Sequence, residues 1–237
     1  MKKFLAVFLT ILMVGSVSLV TMAEGSNVEL DSNPELDYLI LVNESHPYEF
    51  GGEYDLRLTM KDGMTGDYWN LTHAPDAYGD DTLVENATYD AFVQLQGELA
   101  KRGLLIQLFS GYRDQEGQKW LVDQYKDNPP IWWVGGEKTS GHLTGLELWI
   151  YVWDTFGGET YLWGAETEER SKTIPRFKIL HELMPDYGFI DRFPVGKEEW
   201  TGVWCEPYEI RFVGSAEVAH AIMDNGLCLE EYLEMNK

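Results

Sequence analysis

Histidine, cysteine and carboxylate side chains are the groups in this sequence that can bind a metal or move a proton. The five histidines stand at positions 46, 73, 142, 181 and 220. No two of them have the HxH or HxxxH spacing by which one strand or helix presents two ligands, and no HExxH motif occurs. The two cysteines, Cys205 and Cys228, are too few for a Cys-rich zinc module. Local spacing alone therefore identifies no metal site.

Composition excludes several classes of protein. The chain has 237 residues, 40 Asp and Glu against 18 Lys and Arg, and a formal net charge of -22. An aromatic content of 14%, including 9 Trp, excludes a disordered acidic chain, because such chains lack the apolar surface that offsets the ordering entropy. The acidic balance argues against nucleic acid, anionic lipid and anionic wall polymers as partners, since these need a basic face.

The N-terminal residues have the order of charged, apolar and small residues found in secretory signals. Lys2 and Lys3 precede an apolar run over residues 4–20, and Thr21-Met22-Ala23 follows it. We expect a signal peptide over residues 1–23 and a secreted or extracytoplasmic protein. The alternative is an uncleaved membrane anchor, because the run is nearly long enough to span a bilayer. No later segment approaches that length, so we expect no membrane insertion beyond this possible anchor.

The rest of the chain reads as an acidic leader over residues 24–37 and one domain over residues 38–237. The apolar run at 38–42 predicts a buried strand or an extended packing segment. Helical spacing of Ala91, Phe92, Leu95 and Leu99 predicts a helix over 82–102, ended by Gly103.

Further elements are predicted from patterns of the same kind. We expect strands over 104–109 and 146–152, a helix over 114–125 capped by Asp114, a loop insertion over 154–172, and a helix over 176–184. Residues 204–213 predict a strand that Pro207 interrupts, hence an edge or bulged strand. Short helices over 215–224 and 229–235 complete a single α+β domain, because no regular βαβ alternation is present.

Three segments, taken in order, resemble those of VanY-like D-alanyl-D-alanine carboxypeptidases. SGYR at 110–113, followed by Gln118, resembles their SGYRS…Q segment, and SGHLTGL at 140–146 resembles SEHQTGLAVD. EPYEIRFVG at 206–214 resembles EPWHWRYVG. YLILVN at 38–43, YGFIDRFP at 187–194 and CLEEYL at 228–233 agree as well, so the likeness spans about residues 38–233.

The resemblance implies a single-domain α+β fold with a mostly antiparallel central sheet and packed helices. It also implies a zinc ion held by a His, by an Asp seven residues later and by the His of EPWH. A Glu of the same segment acts as general base, and the SGYR Arg holds the substrate carboxylate. The implied reaction removes the terminal D-Ala of a peptidoglycan stem peptide.

The family's residues carry over to this sequence only in part. His142 matches the first zinc ligand, Trp149 stands at the Asp position and Glu209 at the second His position. Trp has no acceptor lone pair and does not bind zinc, whereas Glu209 is an unusual oxygen ligand. Glu206 matches the general base. The positions that match the substrate-binding side are Arg113, Ser110, Gln118 and Ser140.

One His and one carboxylate fall short of the three ligands of a catalytic zinc site. Glu206 would complete the set only by ceasing to act as a base. We therefore expect a family member that binds or trims stem peptides, with weak zinc binding and impaired hydrolysis. The alternative is a catalytically inactive peptide-binding module that uses the same cleft. The sequence leaves the oligomeric state open.

The cysteines allow one internal crosslink. In a secreted chain we expect a disulfide between Cys205 and Cys228, which would stabilise the C-terminal part by about 3 kcal/mol in the chain-entropy model. The alternative is a pair of buried thiols.

Overall fold

The computed structural model describes residues 29–62, 83–127, 135–154 and 175–237. The expected signal peptide or anchor at 1–23 and nearly all of the predicted insertion at 154–172 lie outside these ranges. Among the helices of the described ranges, none combines the length and the apolar character needed to cross a bilayer.

Short strands and helices follow one another along these ranges in no regular order. The strands are β1 Met60–Asp62, β2 Leu83–Glu85, β3 Leu104–Ser110, β4 Glu147–Asp154, β5 Phe189–Asp191 and β6 Glu209–Phe212. The helices are α1 Glu53–Arg57, α2 Asn86–Lys101, α3 Gln115–Tyr125, α4 Pro175–Leu183, α5 Glu198–Thr201, α6 Ala216–Met223 and α7 Leu229–Met235. Turns of 3-10 helix cover Gly141–Thr144 and Met184–Tyr187.

The central sheet has the strand order β3-β4-β6-β5, and every pair in it is antiparallel. A small second sheet pairs β1 with β2. This arrangement confirms the predicted α+β class. The prediction of an edge or bulged strand over 204–213 is wrong: the strand begins at Glu209, lies between β4 and β5 and pairs with both in regular register. Pro207 belongs to the preceding turn, where the amide of Glu209 donates to the carbonyl of Glu206, so it removes no hydrogen bond from the sheet.

Helix α2 covers one face of the sheet and follows the predicted pattern. Its N-cap is Glu85, whose carboxylate accepts a hydrogen bond from the amide of Thr88 at 2.9 Å. Phe92, Leu95 and Leu99 are buried in the main core. Each such side chain stabilises the fold by roughly 1.5–3 kcal/mol. The helix starts later than predicted because residues 83–85 pair with β1.

Two local features bring polar residues to the opposite face. Asp114 caps α3 by accepting from the amide of Gly117 at 2.7 Å, so Gln118 lies about one turn after the loop that carries Arg113. The 3-10 turn at Gly141–Thr144 presents His142 to the sheet. A Cβ at Gly141 would overlap the carboxyl group of Glu147, so this close approach requires glycine.

The segment at 38–42 is not a strand: it begins with a turn in which the amide of Ile40 donates to the carbonyl of Asp37 at 3.2 Å. Arg211 of β6 holds it by donating to the carbonyls of Ile40 at 2.8 Å and Tyr38 at 3.2 Å. The described part of the expected leader, residues 29–37, also contacts the domain, since Leu36 is buried there.

Candidate functional site

Three strands bring the candidate site together at one level of the sheet. Ser110 at the end of β3 is paired with Trp149 of β4, and Trp149 is paired with Glu209 at the start of β6. Directly paired residues of antiparallel strands project their side chains from the same face. Residues far apart in sequence therefore lie side by side.

Arg113 forms one end of this site, and two buried side chains accept hydrogen bonds from its guanidinium. Nη1 donates to Oε1 of Gln118 at 2.7 Å and Nη2 donates to Oγ of Ser110 at 2.9 Å. Its backbone amide donates to the carbonyl of His142 at 3.0 Å. Ser110 and Gln118 are fully buried behind the guanidinium. We therefore interpret these two residues as positioning Arg113, not as contacts for a ligand.

His142 and Glu209 contact each other directly. Nδ1 of His142 lies 2.7 Å from the carbonyl oxygen of Gly111 and donates to it, which leaves Nε2 directed at Glu209. The distance from Nε2 to Oε1 of Glu209 is 3.1 Å. Burial raises the pKa of Glu209 to about 8, although Arg113 and Arg192 oppose this shift. One proton shared between the imidazole and the carboxyl satisfies both buried groups.

Trp149 forms an aromatic wall beside this pair. Its ring meets Phe109 edge to face with centroids 4.7 Å apart, and it lies 5.5 Å from the ring of Tyr208 at an interplanar angle of 32°. The indole is almost fully buried. Its nitrogen is only a donor, so this position supplies aromatic packing and no metal ligand.

Glu206 is the second buried carboxylate of the site. Its backbone amide donates to the carbonyl of Phe193 at 3.2 Å, which fixes the turn that leads into β6. Tyr208 forms a side-chain hydrogen bond with Glu206, and burial together with the charges of Glu206 and Glu209 raises the pKa of Tyr208. The Tyr208 hydroxyl therefore stays protonated and donates to the Glu206 carboxylate.

These groups line a narrow cleft whose free volume is about 20 Å³. Six of the predicted site residues line it: Arg113, Ser140, His142, Trp149, Glu206 and Glu209. Its lining has one guanidinium and three carboxylic groups against aromatic walls, so Arg113 is the group that can pair with the carboxylate of a small polar ligand.

Sequence reasoning missed Glu147, which also lines the cleft. Its carboxylate accepts from Nε of Arg192 at 2.8 Å and lies 3.7 Å from Nη1 of Arg211. Arg192 in turn donates through Nη1 and Nη2 to Glu230, at 3.2 and 2.9 Å. The signal was present in the sequence, because Glu147 stands two residues before Trp149 on one strand and so shares its face.

The donor set does not fit the zinc site that the resemblance implies. His142 and Glu209 offer two donors, and Trp149 stands where the resemblance implies the third. Within the described ranges, no three His, Cys, Asp or Glu side chains converge as metal ligands, so Glu206 does not complete a set. Catalytic zinc sites normally use three protein ligands.

The predicted disulfide is contradicted by the structure. Cys205 and Cys228 both lie in the described part of the chain, and they are buried thiols, not a crosslinked pair. Cys228 is the N-cap of α7, where its sulfur accepts from the backbone and Glu231 bonds back to its amide. Burial raises the pKa of the Cys228 thiol to about 12, so it stays protonated at neutral pH.

Comparison with known proteins gives a consistent result. A family model described as D-alanyl-D-alanine carboxypeptidase, VanY, matches residues 81–215. The chain is 35% identical over 143 residues to a D-alanyl-D-alanine carboxypeptidase of Enterococcus faecalis, covering 54% of this chain and 47% of that protein. The chain spans about half the length of that protein and of a second relative, a putative carboxypeptidase of Bacillus subtilis.

Solved structures match over most of the chain. The structure of VanYB in complex with D-alanine-D-alanine has a TM-score of 0.60 at 26% identity, covering 84% of this chain and 99% of that one. A vancomycin resistance D,D-pentapeptidase VanY variant in complex with Zn(II) has a TM-score of 0.58 at 28% identity, covering 83% and 98%. The family model alone covers more than half of the sequence. The chain therefore belongs to the VanY family of D-alanyl-D-alanine carboxypeptidases.

Proposed function

We propose that this chain binds the D-Ala-D-Ala end of peptidoglycan stem peptides in its cleft and that hydrolysis by the family's zinc chemistry is impaired. The observation that carries the proposal is the direct contact of His142 with Glu209, beside Trp149, opposite an intact Arg113 group. The part that would bind a peptide carboxylate is kept, whereas the part that would hold the metal has two donors and an indole in place of the third.

The binding half rests on the geometry of Arg113. Because Gln118 and Ser110 fix the guanidinium at the cleft wall, a carboxylate meets a fork that is already oriented and pays little ordering cost. The structural relative VanYB is described in complex with D-alanine-D-alanine, which supports a ligand of this class.

The catalytic half rests on the chemistry of water. In the absence of a metal, the pKa of a water nucleophile stays near its bulk value of about 15.7. Glu206 lines the cleft and matches the general base of the EPWH segment, but a carboxylate is far too weak a base to ionise such a water. Weak zinc-dependent trimming is the second candidate function, because this base is retained.

We also propose that the protein acts outside the cytoplasm. The proposal rests on the signal-like order of residues 1–23 and on the external location of peptidoglycan. Immunodetection of the protein in the culture medium or on the external face of the cell membrane would support this proposal. Detection in the cytoplasm would contradict it.

A release assay tests the catalytic half. Purified protein is incubated with a stem pentapeptide and added zinc, and free D-Ala is measured against a Glu206→Gln variant. We expect the two proteins to give the same background. Zinc-dependent release that disappears in the variant would establish trimming and overturn the claim of impaired hydrolysis.

A further inference from the structure

A second concave surface lies on the C-terminal side of the domain, away from the residues of the cleft. It is a groove between the segment at 41–46 and helix α7, bounded by Trp200 of α5. It has a free volume of about 500 Å³ and opens to solvent. Its lining combines one aromatic ring, two leucines and several neutral polar groups, which is a mixture that suits a small polar ligand.

Trp200 gives the groove a flat apolar wall. Its side chain is 49% exposed although it is the largest apolar side chain of a four-residue helix. Leu41 and Leu233 lie beside it and are only partly buried, so they offer apolar contacts at the base. Trp204, four residues later, is 73% exposed. Two tryptophan rings on one short segment thus face solvent.

The polar groups of the groove are held in place by bonds within the protein. Asn43 accepts from Nδ1 of His46 at 3.1 Å, which leaves Nε2 of that ring as an acceptor. The amide nitrogen of Asn43 donates to Glu230 at 3.3 Å, and that carboxylate is 8% exposed and fixed by Arg192. Asn236 donates to the carbonyl of Tyr232 at 2.7 Å, which orients its side-chain oxygen.

The charges in the groove point to a neutral ligand. Glu234 and Lys237 form an ion pair with each other, and the whole chain carries a formal charge of -22, which disfavours a polyanion. A pyranose ring has an apolar C–H face that stacks on indole and hydroxyl edges that pair with amide and imidazole groups. An N-acetyl substituent adds an amide and a methyl group, which match the Asn236 side-chain oxygen and the leucines.

We propose that this groove binds N-acetylhexosamine units of a peptidoglycan glycan strand. The inference rests on the proposed function, because it supplies the strand to which a stem peptide is attached. The segment that carries Trp200 and Trp204 continues to Glu206 in the cleft. At about 3.5 Å per residue, Trp200 and Glu206 are at most about 20 Å apart. A ligand that carries both sugar and peptide and spans this distance would gain affinity through effective concentration.

A calorimetric titration with a peptide-free hexamer of N-acetylglucosamine tests the groove directly. We expect wild-type protein to bind it and Trp200→Ala to weaken binding at least fivefold. Trp120→Ala is the matched control, because Trp120 is exposed to a similar extent, 46%, but lies on α3. The control is expected to bind like the wild type. Unchanged thermal unfolding of both variants establishes that neither effect comes from misfolding.

The outcomes separate this inference from the proposed function. Equal binding by Trp200→Ala and wild type, or no binding of the hexamer at millimolar concentration, overturns the groove proposal while peptide binding stands. Self-association that Trp200→Ala abolishes, without sugar binding, also overturns it, since the groove would then be a protein interface. Hexamer binding without any binding of the free pentapeptide overturns the peptide proposal and leaves the groove.

Discussion

The double variant Trp149→Asp, Glu209→His is expected to gain a zinc site. Positions 149 and 209 are direct cross-strand partners, so their Cβ atoms lie about 4.5–5.5 Å apart on one face. Nε2 of His142 already lies 3.1 Å from the side chain at position 209. An Asp and two His residues at these positions reach a single ion at the usual distances of about 2.0–2.2 Å.

The magnitude follows from what the substitution removes and adds. Trp149 loses its contacts with Phe109 and Tyr208, which costs about 3–5 kcal/mol for a large buried ring. The metal-free variant should therefore unfold about 6–20 °C below the wild type. Zinc at 100 times its dissociation constant returns about 2.7 kcal/mol, or about 5–11 °C.

Thermal unfolding with EDTA and with zinc measures both effects. The single variant Glu209→His and the triple variant that adds His142→Ala serve as controls, because each lacks one of the three ligands. We expect zinc to shift the double variant and to leave the controls nearly unchanged. A folded double variant that takes up no zinc would refute the reasoning, since the three side chains would then not converge.

Three further predictions address other parts of the molecule. The variant Arg113→Lys should weaken pentapeptide binding, measured by calorimetry, by about 10–150-fold, because the loss of a charged two-point contact costs about 1.5–3 kcal/mol. Equal affinity of variant and wild type would show that Arg113 does not bind the carboxylate. Thiol titration of unfolded, unreduced protein should find both Cys205 and Cys228 reactive, whereas a disulfide would leave neither. Burial lowers the pKa of His181, but Asp191, 3.0 Å away, raises it more, so the folded pKa lies above the unfolded value. The pair of His181 and Asp191 should therefore stabilise the fold below about pH 6.5 and lose this effect as pH rises through the folded pKa. The variant His181→Gln should lower the melting temperature more at pH 5.5 than at pH 8.5. An equal loss at both pH values would count against the ion pair.

The elements that sequence reasoning predicted well have signals that lie within the element itself. Helix α2 combines an apolar face at helical spacing with Gly103 at its end, and α3 begins at a capping Asp114. The class, the antiparallel sheet and the family follow from such local patterns and from the three motifs together. The start of β6 was misplaced because the pattern at 204–208 is apolar enough for a strand, but Pro207 forms a turn there.

The parts of the site that sequence reasoning missed depend on tertiary contacts. The match of Trp149 to the Asp position of the motif is visible in the sequence, but the contact between His142 and Glu209 is not, because it needs the 3-10 turn and β6 to meet. The place of Ser110 behind Arg113 likewise depends on the bend after β3. The predicted disulfide is wrong because it was inferred from the expected secretion of the protein, which carries no information about where the two cysteine side chains lie in the fold.

The central claim is that the cleft binds a stem peptide without a metal. Calorimetric titration of EDTA-treated wild-type protein with a pentapeptide ending in D-Ala-D-Ala, repeated with saturating zinc, tests it most directly. The account predicts binding of equal affinity in both titrations and no zinc-dependent release of D-Ala. Binding that appears only with zinc would show that His142 and Glu209 hold a metal that the peptide needs, and it would contradict the account.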